Sequence, residues 1–149
     1  PRANEFNTIR DFLTQALKNK NIVRQGDGKE IREYIHVQDA AQLSVDALND
    51  RYTNKHLIIT GNQQIKVKDL LIMIKEIFKG GIEIEFGRGE ELYHYEITPY
   101  NYKPQVAKKI TPDTYYDLGQ GIMDQIYDLE MSMGKENGSK KVSLLKRKK

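Results

Sequence analysis

Residues 26–41 read GDGKEIREYIHVQDAA. The glycines on either side of Asp27 supply the positive φ angles that a tight turn needs. With NIVRQ before it, the stretch reads as two strands around that turn, a hairpin device. Side chains alternate across a strand, so Arg32, Tyr34 and His36 fall on one face and Ile35 and Val37 on the other. The apolar face can pack while the polar face presents a guanidinium, a phenol and an imidazole. An ordinary half-exposed strand has this pattern, and so has the wall of a site for an anionic ligand. Arginine suits phosphates because its planar fork donates two parallel, charge-assisted hydrogen bonds. His36 reads as a hydrogen-bonded junction residue. Asp39 lies at the start of the next helix, where its charge suits the positive helix end.

Outward from this stretch the hydrophobic spacing defines helices. Phe6, Ile9, Leu13, Ala16 and Leu17 predict a helix over 6–19. Val37, Ala40, Ala41, Ser44 and Leu48 mark a second, whose small residues suit close packing on a sheet. Val67, Leu70, Leu71, Ile74, Ile77 and Phe78 form the clearest stripe, stopped by Gly80-Gly81. A last helix is expected over 117–133, with Leu118, Ile122, Ile126 and Leu129 on one face. KHLIITG and IEIEFG read as short strands. Mixed helices and strands place the chain in the α/β or α+β classes.

The length, 149 residues, suits one domain with a real core. No apolar run approaches the roughly 18 residues of a membrane span, so no membrane partner is expected. The chain has no cysteine, which leaves no disulfide framework or thiolate metal site and is compatible with the cytoplasm. The net charge of +3 is unevenly placed: residues 135–149 hold seven basic residues and one acidic, leaving the rest at −3. Residues 134–149 are therefore expected to form a basic, flexible tail. That tail has no aromatic residue to stack on bases, so nucleic acid is not an expected partner. The chain opens at Pro1, and it is expected to be a fragment of a longer protein.

Neither a glycine-rich dinucleotide loop nor a Gly-Lys-Ser/Thr phosphate loop occurs. There is no metal-ligand spacing and no Tyr-x-x-x-Lys pair. No catalytic, cofactor-binding or metal-binding residue is assigned within the chain. Tyr93–Tyr102, YHYEITPYNY, is rich in tyrosine and suits a sugar or base pocket, an edge strand or an interface.

GDGKEIREYIHVQDAA closely resembles the Gly-Asp-Gly…Arg-Asp-Tyr-Ile-His-Val-x-Asp signature of extended short-chain dehydrogenase/reductases. These are the NAD-dependent epimerases and dehydratases typified by UDP-glucose 4-epimerase. PRAN, NTIRDFLTQAL, HLIITGNQQIKVKDLLIMI, PQVAKKI and DLGQGIMDQI resemble further family segments, in the family's order. The resemblance spans roughly residues 1–130. It implies an α/β fold, the C-terminal part of a Rossmann-type enzyme, with residues 1–133 forming a substrate-binding portion.

In that family an N-terminal Rossmann domain binds NAD or NADP, and a Tyr-x-x-x-Lys pair there performs hydride chemistry on the sugar. The C-terminal portion holds the nucleoside diphosphate sugar. The resemblance therefore implies that this chain serves a nucleotide-sugar epimerase as its substrate-binding part and is inactive alone. Arg32 matches the family arginine that binds the diphosphate, and Tyr34 the adjacent tyrosine. Asn7 and Thr8 lie where the family contributes substrate contacts. The family's later Arg-x-Gly-Asp segment is replaced here by FGRGEELYHYEITPYNYKP, in which Arg88 is the candidate second arginine. The alternative is a stand-alone module that binds a nucleotide sugar or a protein without catalysis. Expected partners are the nucleotide sugar, the chain's own Rossmann domain and, through an exposed apolar face, a second copy.

Overall fold

The computed structural model describes residues 8–62, 64–87 and 107–146. Helix α1 (Thr8–Asn19) leads into strand β1 (Asn21–Gln25), then β2 (Ile31–Glu33) and α2 (Val37–Asp46). A short 3-10 turn (Asp50–Tyr52) precedes β3 (Leu57–Ile59), β4 (Gln64–Lys66) and α3 (Val67–Ile77). Strands β5 (Glu83–Gly87) and β6 (Lys108–Ile110) and helix α4 (Leu118–Lys146) complete it. Phe12, Leu13 and Ala16 of α1 meet Val67, Leu70, Leu71 and Ile74 of α3 in one core. Ile22, Ile82, Ile122 and Leu129 close it. Each large aliphatic chain fully buried there contributes about 1.5–3 kcal/mol. These are the apolar stripes that helical periodicity picks out.

The strands form three two-stranded sheets. β1 pairs in parallel with β5, from Asn21↔Glu83 to Gln25↔Gly87. β2 pairs antiparallel with β4, with Arg32 opposite Ile65. β3 pairs in parallel with β6. The expected hairpin is therefore not formed: β1 and β2 flank the glycine turn but bond to different partners. Gly26 and Gly28 do adopt positive φ, 84° and 69°. The chain leaving Gly28 turns onto α3, where Lys68 N donates to Gly28 O and Val67 N to Glu30 O. The two carbonyls thus satisfy amides that the start of a helix leaves open.

Three further expectations change. β2 ends at Glu33, so the alternation does not run on through His36. Tyr34 packs against the core rim while Val37 is exposed, the reverse of the expected faces. On α2 the inward side is Asp39, Ala40, Leu43, Asp46 and Ala47. Val37, Ala41, Ser44 and Leu48 point outward, because a polar contact to Asp39 fixes the helix's rotation. Finally, α4 continues past Met133, the expected end of the last helix, to Lys146.

Candidate functional site

β2 and the residues after it carry the candidate site. Arg32 is half-buried, and its Nη1 donates to the Ile31 carbonyl at 2.9 Å. Among the described residues no carboxylate pairs with Arg32. Tyr34 follows, also half-buried. Burial is the main influence on its hydroxyl and raises its pKa; Arg32 and Arg24 pull it down and Glu30 pushes it up. Those four side chains therefore share one neighbourhood.

Arg24 and Glu30 were not picked out from sequence. Arg24 Nη2 meets Glu30 Oε1 at 2.5 Å, with both side chains nearly buried. A signal existed: Ile22 and Arg24 alternate on the inward face of β1, and a carboxylate follows within a few residues. A charge on an inward strand position calls for such a partner.

Glu33 anchors the strand from its other side. Its carboxylate accepts from Thr60 Oγ1 at 2.5 Å, Lys109 Nζ at 2.6 Å and Gln64 Nε2 at 3.2 Å. Burial pushes this carboxyl up, but the hydrogen bonds from Lys109, Thr60 and Gln64 outweigh it and hold it below its ordinary range. Gly61 lies directly under the Tyr34 backbone, where any Cβ would overlap the Tyr34 carbonyl oxygen.

His36 caps α2, its Nδ1 accepting from Gln38 N at 3.3 Å, and stacks on Tyr116 with centroids 4.2 Å apart. Asp39 Oδ2 accepts from Tyr116 N at 2.9 Å. Both side chains thus join α2 to the segment before α4, which is a structural arrangement. Thr8 is exposed at the start of α1. Asn7, Arg88 and the Tyr93–Tyr102 segment lie outside the described residues.

An open groove of about 450 Å³ runs between α2, the 3-10 turn and the segment after β6. Asp39, Asp46, Arg51, Tyr52, Lys109 and Asp113 are among its lining residues. Arg32 and Tyr34 are not, so the groove and the arginine strand are separate features. No cluster of metal-ligating side chains occurs among the described residues. Nor is any described helix long and apolar enough to cross a membrane.

Comparison with known proteins gives these features a context. Residues 2–60 match the NAD dependent epimerase/dehydratase family. That match agrees with the resemblance read from the signature and covers the segment that holds Arg32 and Tyr34. A Methanocaldococcus jannaschii protein named "Putative UDP-glucose 4-epimerase" is 33% identical over 89 residues, covering 60% of this chain and 26% of the relative. UDP-glucuronic acid 4-epimerase from Bacillus cereus, solved with NAD, superposes with a TM-score of 0.60 at 18% identity. That match covers 87% of this chain and 42% of the epimerase. An NAD-dependent NDP-hexosamine 5,6-dehydratase, TunA, superposes with a TM-score of 0.59 at 14% identity, over 83% of this chain and 40% of its own. The fold is thus α/β, of the kind found in these Rossmann-type enzymes. The chain spans about a quarter of the curated relative and about two fifths of each solved structure.

The matched family is described as NAD dependent, and the Gly26–Gly28 turn does not fit that cofactor's pyrophosphate. A pyrophosphate cradle needs a glycine turn whose backbone is open to the ligand. A Cβ on Gly28 would meet Phe86 Cε1 at 2.9 Å and Lys68 N at 3.1 Å, so protein atoms already fill that space. The Gly26–Gly28 turn serves chain packing.

Proposed function

We propose that this chain is the nucleotide-sugar-binding part of an NAD(P)-dependent nucleotide-sugar epimerase similar to UDP-glucose 4-epimerase. One observation carries the reading: the signature arginine, Arg32, is held half-buried on β2 with no carboxylate neutralising it among the described residues. A guanidinium in that state keeps donors for an anion, and a diphosphate offers paired oxygens that match its fork. Tyr34 adds an aromatic wall and a hydroxyl, and burial keeps that hydroxyl in its neutral, donating form.

In this reading Asn7 and Arg88 add contacts to the sugar nucleotide. The hydride chemistry and the NAD or NADP site belong to a Rossmann domain outside this sequence, and residues 1–149 alone turn nothing over. The role of these residues is to bind and orient. A diphosphate fixed by Arg32 places the sugar at a defined distance from the reacting groups, which is how remote binding energy serves catalysis. The protein so assembled acts in the cytoplasm.

The test is calorimetric titration of UDP-sugars into the protein that joins these residues to its cofactor domain. Arg32→Ala is expected to weaken binding by about 1.5–3 kcal/mol, the scale of a charged hydrogen bond. An unchanged dissociation constant removes Arg32 from the site and the reading with it.

A further inference from the structure

Two carboxylates stand close to Arg32 in the chain. Glu33, next to it, faces the other side of β2 and is taken by Lys109, Thr60 and Gln64. Glu30 lies two residues before it. The pairing of β2 with β4 continues past Ile31, because Val67 N donates to Glu30 O. Glu30 therefore keeps strand geometry, and its side chain falls on the same side as Arg32. The Arg32 guanidinium folds back along the chain in that direction, Nη1 donating to the Ile31 carbonyl. Both charges also act on the Tyr34 hydroxyl. A carboxylate in this position is the natural partner for the guanidinium. An ion pair between the two would occupy donors that a diphosphate needs.

That pair is not formed. Arg24 Nη2 holds Glu30 Oε1 at 2.5 Å instead, and the two side chains are 10% and 11% exposed. Arg24 belongs to β1, in register with Phe86 of β5, and reaches Glu30 across the Gly26–Gly28 turn. Burying an ion pair costs desolvation, and apolar residues of similar volume often stabilise a protein as well or better. Packing alone is thus a weak reason for an arginine beside Ile22 on the inward face of β1.

We infer that Arg24 is a positioning residue for the diphosphate site: it sequesters Glu30 and so leaves Arg32 unpaired for the ligand. This role depends on Arg32 holding a diphosphate, as proposed above. Arg24 itself is nearly buried and touches no ligand. Without it Glu30 turns to Arg32, and only molecules with that pair open can bind. The apparent dissociation constant then rises by the inverse of the open fraction, about fivefold where the pair closes in about four-fifths of the molecules.

Calorimetric titration of UDP into the protein that joins these residues to its cofactor domain tests the role. Arg32→Ala comes first: an unchanged dissociation constant there overturns the underlying reading. Where Arg32→Ala weakens binding, Arg24→Met is expected to raise the dissociation constant about fivefold. Adding Glu30→Gln to Arg24→Met is expected to return it to the wild-type value. Glu30→Gln alone should bind UDP at least as tightly as wild type while lowering the unfolding midpoint, since it leaves the buried Arg24 facing a neutral amide. Circular dichroism confirms that each variant is folded during the titration. Arg24→Gln, which can still donate a hydrogen bond to Glu30 without neutralising it, takes the place of Arg24→Met if the latter does not fold. A pair that serves packing alone would lower the midpoint of both single variants and leave UDP affinity unchanged. That result overturns the proposal with Arg32 still in the site. So does weak binding by the double variant, which would make Arg24 necessary even without Glu30, or weakened binding by Glu30→Gln.

Discussion

Lys109 Nζ stands 2.6 Å from Glu33 Oε1, and the Glu33 side chain is only 2% exposed. This contact ties the strand that presents Arg32 to β6. Thr60 and Gln64 bind the same carboxylate, so one side chain of the β2–β4 sheet reaches the end of β3 and the neighbouring β6. Arg32 and Glu33 are adjacent and face opposite ways on the strand. Glu33 thereby fixes the backbone from which Arg32 extends.

Replacing Glu33 with Gln should cost about 1–3 kcal/mol of stability, since it leaves a lysine facing a neutral amide with fewer acceptors. Lys109 is about one-third exposed, so water offsets part of the loss, which keeps the effect below that of a fully buried pair. Urea unfolding of the two proteins measures it. An unchanged midpoint would show that the carboxylate is not under tension from its partners.

The same group sets an acid limit. Its pKa is depressed in the folded chain, so it binds a proton more readily when unfolded. The stabilisation is present above the ordinary glutamate value of about 4 and is lost as pH falls through the lower folded value. Unfolding midpoints should drop in that window for the wild-type chain and drop less for Glu33→Gln. Parallel pH curves for the two would contradict this assignment.

Gly61→Ala tests a close approach. The added methyl would overlap the Tyr34 carbonyl oxygen, a backbone atom that cannot rotate away. Overpacking of this kind costs about 1–3 kcal/mol and more where the main chain must move. The expected result is a loss of at least about 3 kcal/mol in urea unfolding. A variant as stable as wild type would mean that the β2 exit and the turn after β3 are not held together as described.

How far the sequence reveals this arrangement depends on the element. α1 and α3 are visible because their stripes recur at helical spacing and end at turn residues, Lys20 and Gly80, with positive φ. Period-two alternation marks β1 as a strand but says nothing of its partner, which is how a parallel pairing with β5 came to read as a hairpin. β4 and β6 are three residues each, too short for any pattern to stand out. On α2 apolarity does not mark the inward side. Its inward side includes Asp39, held there by the Tyr116 amide, while Leu48 is 83% exposed. Arg32 was found through its family signature. Its buried neighbours Arg24 and Glu30 needed a rule about charges on inward strand positions.

Tyr34 allows stability and binding to be separated. Its ring packs on the core rim, whereas no hydrogen bond to its hydroxyl occurs among the described residues. Tyr34→Phe keeps the ring and removes only the oxygen. Unfolding free energy should therefore change by no more than about 0.5 kcal/mol, the scale of substitutions that disturb no contact. One effect on stability should appear at high pH. The hydroxyl's raised pKa favours the neutral folded form, so wild type should lose stability as pH rises above about 10, and the Phe variant should lose less there. If the hydroxyl contacts the nucleotide sugar, the same change should weaken binding in the protein that includes the cofactor domain by about 0.5–1.5 kcal/mol, the net worth of a neutral hydrogen bond. Lost stability at neutral pH with unchanged affinity would make Tyr34 a packing residue only, and Arg32 would then stand alone on this strand as the ligand contact.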